Sequence, residues 1–175
     1  MGPPPWSSAA SWGCERLMYA NAREFFEAAS AVAREADRIG RELSELEDEA
    51  ESSGGTSFEP RVRSTPEPDR MASRVASRMD RRGMLERRQD ECYQLIDAAC
   101  AVLYGPDNRS GLYALVGWPA DALYHHYLAL RTWEQAGALL GYSADHVKHM
   151  ASAALDVADA NGLMWTQLGI GFAEQ

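Results

Sequence analysis

The stretch TWEQAGALLGYSADHVKHMA, residues 132–151, decides how this chain is read. Thr132 is a good helix N-cap, and Gln135 stands three residues on, as a capping box requires. Trp133, Ala136 and Leu140 recur at helical spacing. Gly141 falls where the chain must leave a helix with positive φ, and Ser143 can cap the next helix. In that helix Val147, Met150, Ala151, Ala154 and Ala158 form one apolar stripe. Asp145, Lys148, His149 and Ser152 form the opposite face, with Ala144 and His146 near the start. Two short helices joined by a tight Gly-containing turn are the arrangement that lays a second helix in the DNA major groove.

Working outward, the segment before the motif begins Trp118-Pro119-Ala120-Asp121, with Pro suited to a first turn, and Leu123, Tyr127 and Leu128 give it an inward face. Tyr104 to Gly111 (YGPDNRSG) reads as a strong turn, and Leu112 to Gly117 as a short apolar link. Further upstream, Phe25, Ala29, Val32, Ala36, Ile39, Leu43, Leu46 and Ala50 keep an unbroken 4-3-4-3 spacing within a helix expected from Glu15 to Glu51. That is a coiled-coil seam. Gly, Ser and three prolines break the pattern between about 52 and 68, where Arg61 and Arg63 lie. A second long helix is expected from Pro66 to Asp69 onward. Its stripe is Met71, Val75, Arg78, Arg82, Leu85, Gln89, Cys92, Ile96, Ala99 and Leu103.

The expected fold class is all-α: a long antiparallel helical hairpin followed by a small C-terminal helix-turn-helix domain. The expected divisions are a disordered tail at 1–12, which holds Trp6 and Trp12, the coiled-coil hairpin at 13–104, the helix-turn-helix domain at 112–162 and a C-terminal tail at 163–175.

Charge is uneven along the chain. The formal net charge is −9. Residues 1–59 carry five Arg against twelve acids, residues 60–90 nine Arg against five acids, and residues 91–175 only Arg109, Arg131 and Lys148 against nine acids. The cluster Arg74, Arg78, Arg81, Arg82, Arg87 and Arg88 has two readings, nucleic-acid contact or pairing with Glu42, Glu45, Glu47, Asp48 and Glu49 across the hairpin. An antiparallel hairpin favours the pairing.

Residues 132–151 resemble region four of bacterial sigma factors, which reads the promoter −35 element. The matching features are Thr132, Glu134, Gly137 and the turn with its cap at Ser143. From about 20 to 160 the chain is similar to small phage- and prophage-encoded proteins with a sigma region-four-like C-terminus, a likeness that includes Pro68-Asp69-Arg70-Met71. The resemblance implies a DNA-binding transcriptional regulator acting at promoters on double-stranded DNA, together with host RNA polymerase; the coiled-coil seam leaves open whether it closes within one chain or between two, as a homo-oligomer. The resemblance also implies Arg131, Thr132, Ser143, Ala144, Asp145, His146, Lys148, His149 and Ser152 as DNA-contacting positions. Where relatives are Arg- or Lys-rich before the motif, this chain has Tyr124-His125-His126-Tyr127, so Lys148 is the fixed positive charge on the face. Asp156 and Asp159 repel phosphate.

Two alternatives stay open: a phage structural or assembly protein such as a DNA-packaging recognition subunit, and a helix-turn-helix interaction module without DNA binding. No phosphate loop or nucleophile motif points to an enzyme, and no cofactor is expected. His146 and His149, spaced i,i+3, lack the third ligand of a metal site. Cys14, Cys92 and Cys100 are expected as free thiols of a cytoplasmic protein, and no run approaches the ~20 apolar residues of a membrane span.

Overall fold

The computed structural model describes residues 19–53, 68–107 and 110–163, and every regular element among them is helical. In chain order these are α1 (Ala22–Ser53), α2 (Pro68–Tyr104), α3 (Leu112–Val116), α4 (Pro119–Leu123), a π-helical turn (Tyr124–Leu128), α5 (Trp133–Leu140) and α6 (Ala144–Asn161). The expected tail at 1–12, Cys14, the loop arginines Arg61 and Arg63, and the segment after Leu163 lie outside the described residues. No described helix is long and apolar enough to cross a membrane.

The chain divides into two compact units. One groups Met1–Ala31 with Ile96–Gln175, and the other is Val32–Leu95. The expected border between hairpin and C-terminal domain lay at 104–112. The start of α1 and the end of α2 group instead with the short helices.

Within the Val32–Leu95 unit, four ion pairs among the described residues join α1 and α2. Glu35 meets Arg88 at 2.9 Å, Glu42 meets Arg81 at 3.6 Å, Glu47 meets Arg82 at 2.9 Å and Glu49 meets Arg78 at 3.6 Å. The order of these pairs sets the two helices in opposite senses; Arg78, Arg81 and Arg82 meet acids named for the pairing, whereas Arg88 meets Glu35, which was not among them. The pairs are exposed, so they set register more than stability. Ala33, Ala36, Ile39, Leu85 and Cys92 are buried. Leu43 and Leu46 are only half-buried and Ala50 is exposed, so the seam fades toward the end of α1. The expected α2 stripe fails in its first half. Val75 is 52 % exposed, and Met79 and Met84 are exposed as well. Arg78 and Arg82 occupy seam positions and pair with Glu49 and Glu47 of α1, so charged groups interrupt the stripe beside Val75.

In the other unit, α1 begins at Ala22 and not at Glu15. Asn21 accepts the backbone N–H of Glu24 at 2.8 Å, and the Glu24 carboxylate accepts that of Ala20 at 2.7 Å. The helix start is thus fixed by a polar exchange that the periodic pattern did not reveal. Phe26, Leu103, Leu112, Leu123, Val147 and Leu155 are essentially without solvent contact and form the core. Each such side chain contributes about 1.5–3 kcal/mol of transfer free energy. The expected apolar link at 112–117 is the short helix α3. It is followed by Gly117 and by α4, with Pro119 at its first position.

After Leu123 the chain widens into the π turn, where the Ala129 N–H donates to Tyr124 O at 2.9 Å, and Leu130 then adopts φ 54°. The four rings Tyr124 to Tyr127 reach four different neighbours. Tyr124 lies against Tyr104 (6.1 Å), His126 stacks on Trp133 (3.7 Å) and Tyr127 meets Phe26 (5.9 Å). His125 Nδ1 accepts from Arg131 Nη1 at 3.3 Å. At the end of α2, the half-buried Tyr104 donates its hydroxyl proton to Asp121 at 2.8 Å. Among the described residues Cys92 and Cys100 are free thiols.

Candidate nucleic-acid interface

The expected site is built on α5, its turn and α6. Thr132 accepts from the Gln135 N–H at 3.3 Å, and the Gln135 side chain accepts from the Thr132 N–H at 3.0 Å, completing the capping box. Gly141 ends α5 with φ 79°, a left-handed conformation that disfavours any residue with a Cβ. The Tyr142 N–H returns to Gly137 O at 3.0 Å. Gly137 is needed for space: a Cβ there would stand 2.7 Å from Tyr142 O and 3.2 Å from Ala144 N. Ser143 then caps α6 by accepting from the His146 N–H at 3.3 Å.

α6 packs on α5, α4 and α3 through Val147, Ala151, Ala154, Leu155 and Ala158. Leu155 belongs to this stripe although the sequence reading omitted it, and Met150, expected inside, is only half-buried. With that stripe inward, Asp145, His146, Lys148 and His149 are exposed on the first two turns, and Ala144 is half-exposed.

The nine expected contact positions are not equivalent. Thr132 and Ser143 are exposed, and each spends its hydroxyl on a helix cap. Arg131 is half-buried against His125. Burial, and after it the Arg131 charge, pushes the His125 pKa down, so this ring stays neutral at neutral pH. Ser152 is half-buried and accepts from Arg23 Nη2 at 3.1 Å. The remaining five share the open start of α6.

Arg23 was not among the expected residues. It comes from the first turn of α1, and no local pattern in the sequence connects it to Ser152, 129 residues away. Lys148 is therefore not the sole cation bordering α6. Asp159, expected as a repulsive charge, also has a structural contact that the sequence did not show. Its carboxylate accepts the backbone N–H of Ala22 at the start of α1, where the helix dipole favours a negative group. That bond and the Arg23–Ser152 bond fasten the first turn of α1 along the later turns of α6. A groove of about 320 Å³ lies beside this junction, bordered by Arg23, Lys148, Ser152, His126 and Trp133.

Beside the start of α6, Trp118 stacks on Tyr142 at 4.4 Å, with His146 5.7 Å from Trp118 and 5.4 Å from Tyr142. Tyr142 is 45 % and Leu139 58 % exposed. The Glu134 carboxyl is held below its usual range by backbone and Thr132 hydrogen bonds, so it adds fixed negative charge to the first turn of α5. Among the described residues no three His, Cys, Asp or Glu side chains gather into a metal-ligand cluster. No protein-family model, no curated protein and no solved structure matches this chain.

Proposed function

We propose that this chain is a DNA-binding regulator of transcription in which α5, the Gly141 turn and α6 act as a helix-turn-helix. In this reading the start of α6 enters the major groove at a promoter. The observation that carries it is the exposed face Asp145, His146, Lys148 and His149, held outward by a buried stripe and a turn that Gly137, Gly141 and Ser143 specify. The resemblance of residues 132–151 to sigma region four supports the same reading. Lys148 would meet a phosphate or a guanine edge, and Asp145 would accept from a cytosine amino group.

Residues 91–175 carry a surplus of acids, so the module attracts DNA weakly by itself. Contact with RNA polymerase would hold it near the promoter and raise its effective concentration. The test is binding to promoter fragments with and without polymerase, comparing the native chain with Lys148→Glu. Promoter-dependent binding that Lys148→Glu abolishes is the expected result. An absence of promoter-dependent signal in both settings rejects the proposal.

A second reading, an interaction module that does not bind DNA, draws on the exposed Leu139 and Tyr142 beside Trp118 and on the acidic balance. It requires function to survive Lys148→Glu and to be lost in Leu139→Asp.

A further inference from the structure

We infer that the groove between the first turn of α1 and the middle of α6 is a phosphate-binding site, with Arg23 and Lys148 as its cationic walls. Both side chains border the same cavity of about 320 Å³, at the small end of the range for ligand sites. Among the described residues neither has a carboxylate within 4 Å. That sets Arg23 apart from Arg38, Arg41, Arg78, Arg81, Arg82 and Arg88, each of which has an acidic partner. Arg23 is instead held by neutral groups: the Ser152 hydroxyl accepts from its guanidinium, and the Tyr127 phenol is a further hydrogen-bond neighbour.

Two acids lie near the groove: Asp159, whose carboxylate accepts the Ala22 N–H, and Glu27, whose charge together with that of Arg23 acts on the groove-lining Tyr127. The stacked pair His126 and Trp133 closes one wall, with His126 Nδ1 donating to Arg131 O at 2.9 Å. Arg23 from α1 and Lys148 and Ser152 from successive turns of α6 border one groove, a set of two cations and a hydroxyl that suits an anion with several oxygens. A guanidinium beside an ammonium favours phosphate over a single carboxylate. The phosphate comes either from a nucleic-acid backbone or from a free phosphorylated molecule. Only the first source rests on the function proposed above.

The experiment uses the full chain, ¹⁵N-labelled and titrated with inorganic phosphate, alongside labelled promoter duplex bound over a range of salt. The variants are Arg23→Gln and Lys148→Gln, with Arg34→Gln, elsewhere on α1, as the control. Phosphate is expected to shift the Arg23 side-chain and Ser152 amide resonances of the native chain, and not those of Arg23→Gln. For the duplex, Arg23→Gln is expected to weaken binding by roughly three- to tenfold and to reduce the salt slope by about one, while Arg34→Gln changes neither. A reduced slope identifies the backbone as the source. Phosphate shifts with an unchanged slope, or with no duplex binding, keep the site and assign it to a free ligand; the latter result rejects the DNA reading alone. If phosphate causes no shift and Arg23→Gln leaves duplex binding as it is, the site is refuted while DNA recognition survives.

Discussion

Replacing Gly137 with Ala should destabilise the unit that contains α5 and α6, although in an ordinary helix the same change stabilises. Helix propensity alone would favour Ala by about 1 kcal/mol. Against this, the new Cβ would stand 2.7 Å from Tyr142 O and 3.2 Å from Ala144 N, and both are backbone atoms of the turn. A flexible side chain could swing away, but this turn can only shift as a whole. Shifting it strains the Tyr142 N–H bond to Gly137 O, worth about 0.5–1.5 kcal/mol, and the Ser143 cap, worth about 1 kcal/mol. Overpacking a tight contact costs about 1–3 kcal/mol. The net expectation is a loss of about 1–3 kcal/mol, read by urea denaturation with amide exchange resolved for α5 and α6. Gly83→Ala is the internal comparison. A Cβ at Gly83, inside α2, meets nothing within 4 Å, so that variant should gain up to about 1 kcal/mol. If Gly137→Ala matches or exceeds the native stability, the close approach is not what selects glycine there.

Two further expectations concern titratable groups. Burial and the Asp121 hydrogen bond push the Tyr104 pKa up, and burial pushes Tyr127 up. Raised values favour the neutral phenol in the fold, so this stability is fully present below about pH 10 and is lost as pH rises beyond it. His125 is shifted down, so its contribution is present above about pH 6.5 and lost as pH falls. Melting temperature against pH should show both limbs, with Tyr104→Phe flattening the alkaline one and His125→Gln the acidic one. The thiols of Cys92 and Cys100 are both raised, chiefly by burial, so alkylation at about pH 8 should be slow in the folded chain and rise to the rate of ordinary thiols on unfolding.

Several local signals around the α5–α6 turn were legible in the sequence. Thr132, Gln135, Gly141 and Ser143 announce their caps because each acts on backbone atoms within three or four residues. Arg78, Arg81 and Arg82 of α2 could be matched to acids of α1 because antiparallel helices convert sequence order into spatial order, while Glu35 as the partner of Arg88 was not read. Periodicity did not reveal the start of α1, where Asn21 and Glu24 share polar bonds. Arg23 meeting Ser152 and Asp159 meeting the Ala22 N–H could not be read either, since tertiary packing alone brings those positions together. The π turn was also missed. YHHYL carries no residue that forbids an α-helix, and the sequence holds no local signal for the widening.

That turn has a practical consequence. Tyr124, His125, His126 and Tyr127 are consecutive in the chain, yet each senses a different junction: the end of α2, Arg131, Trp133 and Phe26. A fluorine label placed on one ring at a time would give four reporters spaced a single residue apart. Loosening of α1 would register at Tyr127 while Tyr124 stayed silent, so the order in which this unit comes apart could be followed signal by signal.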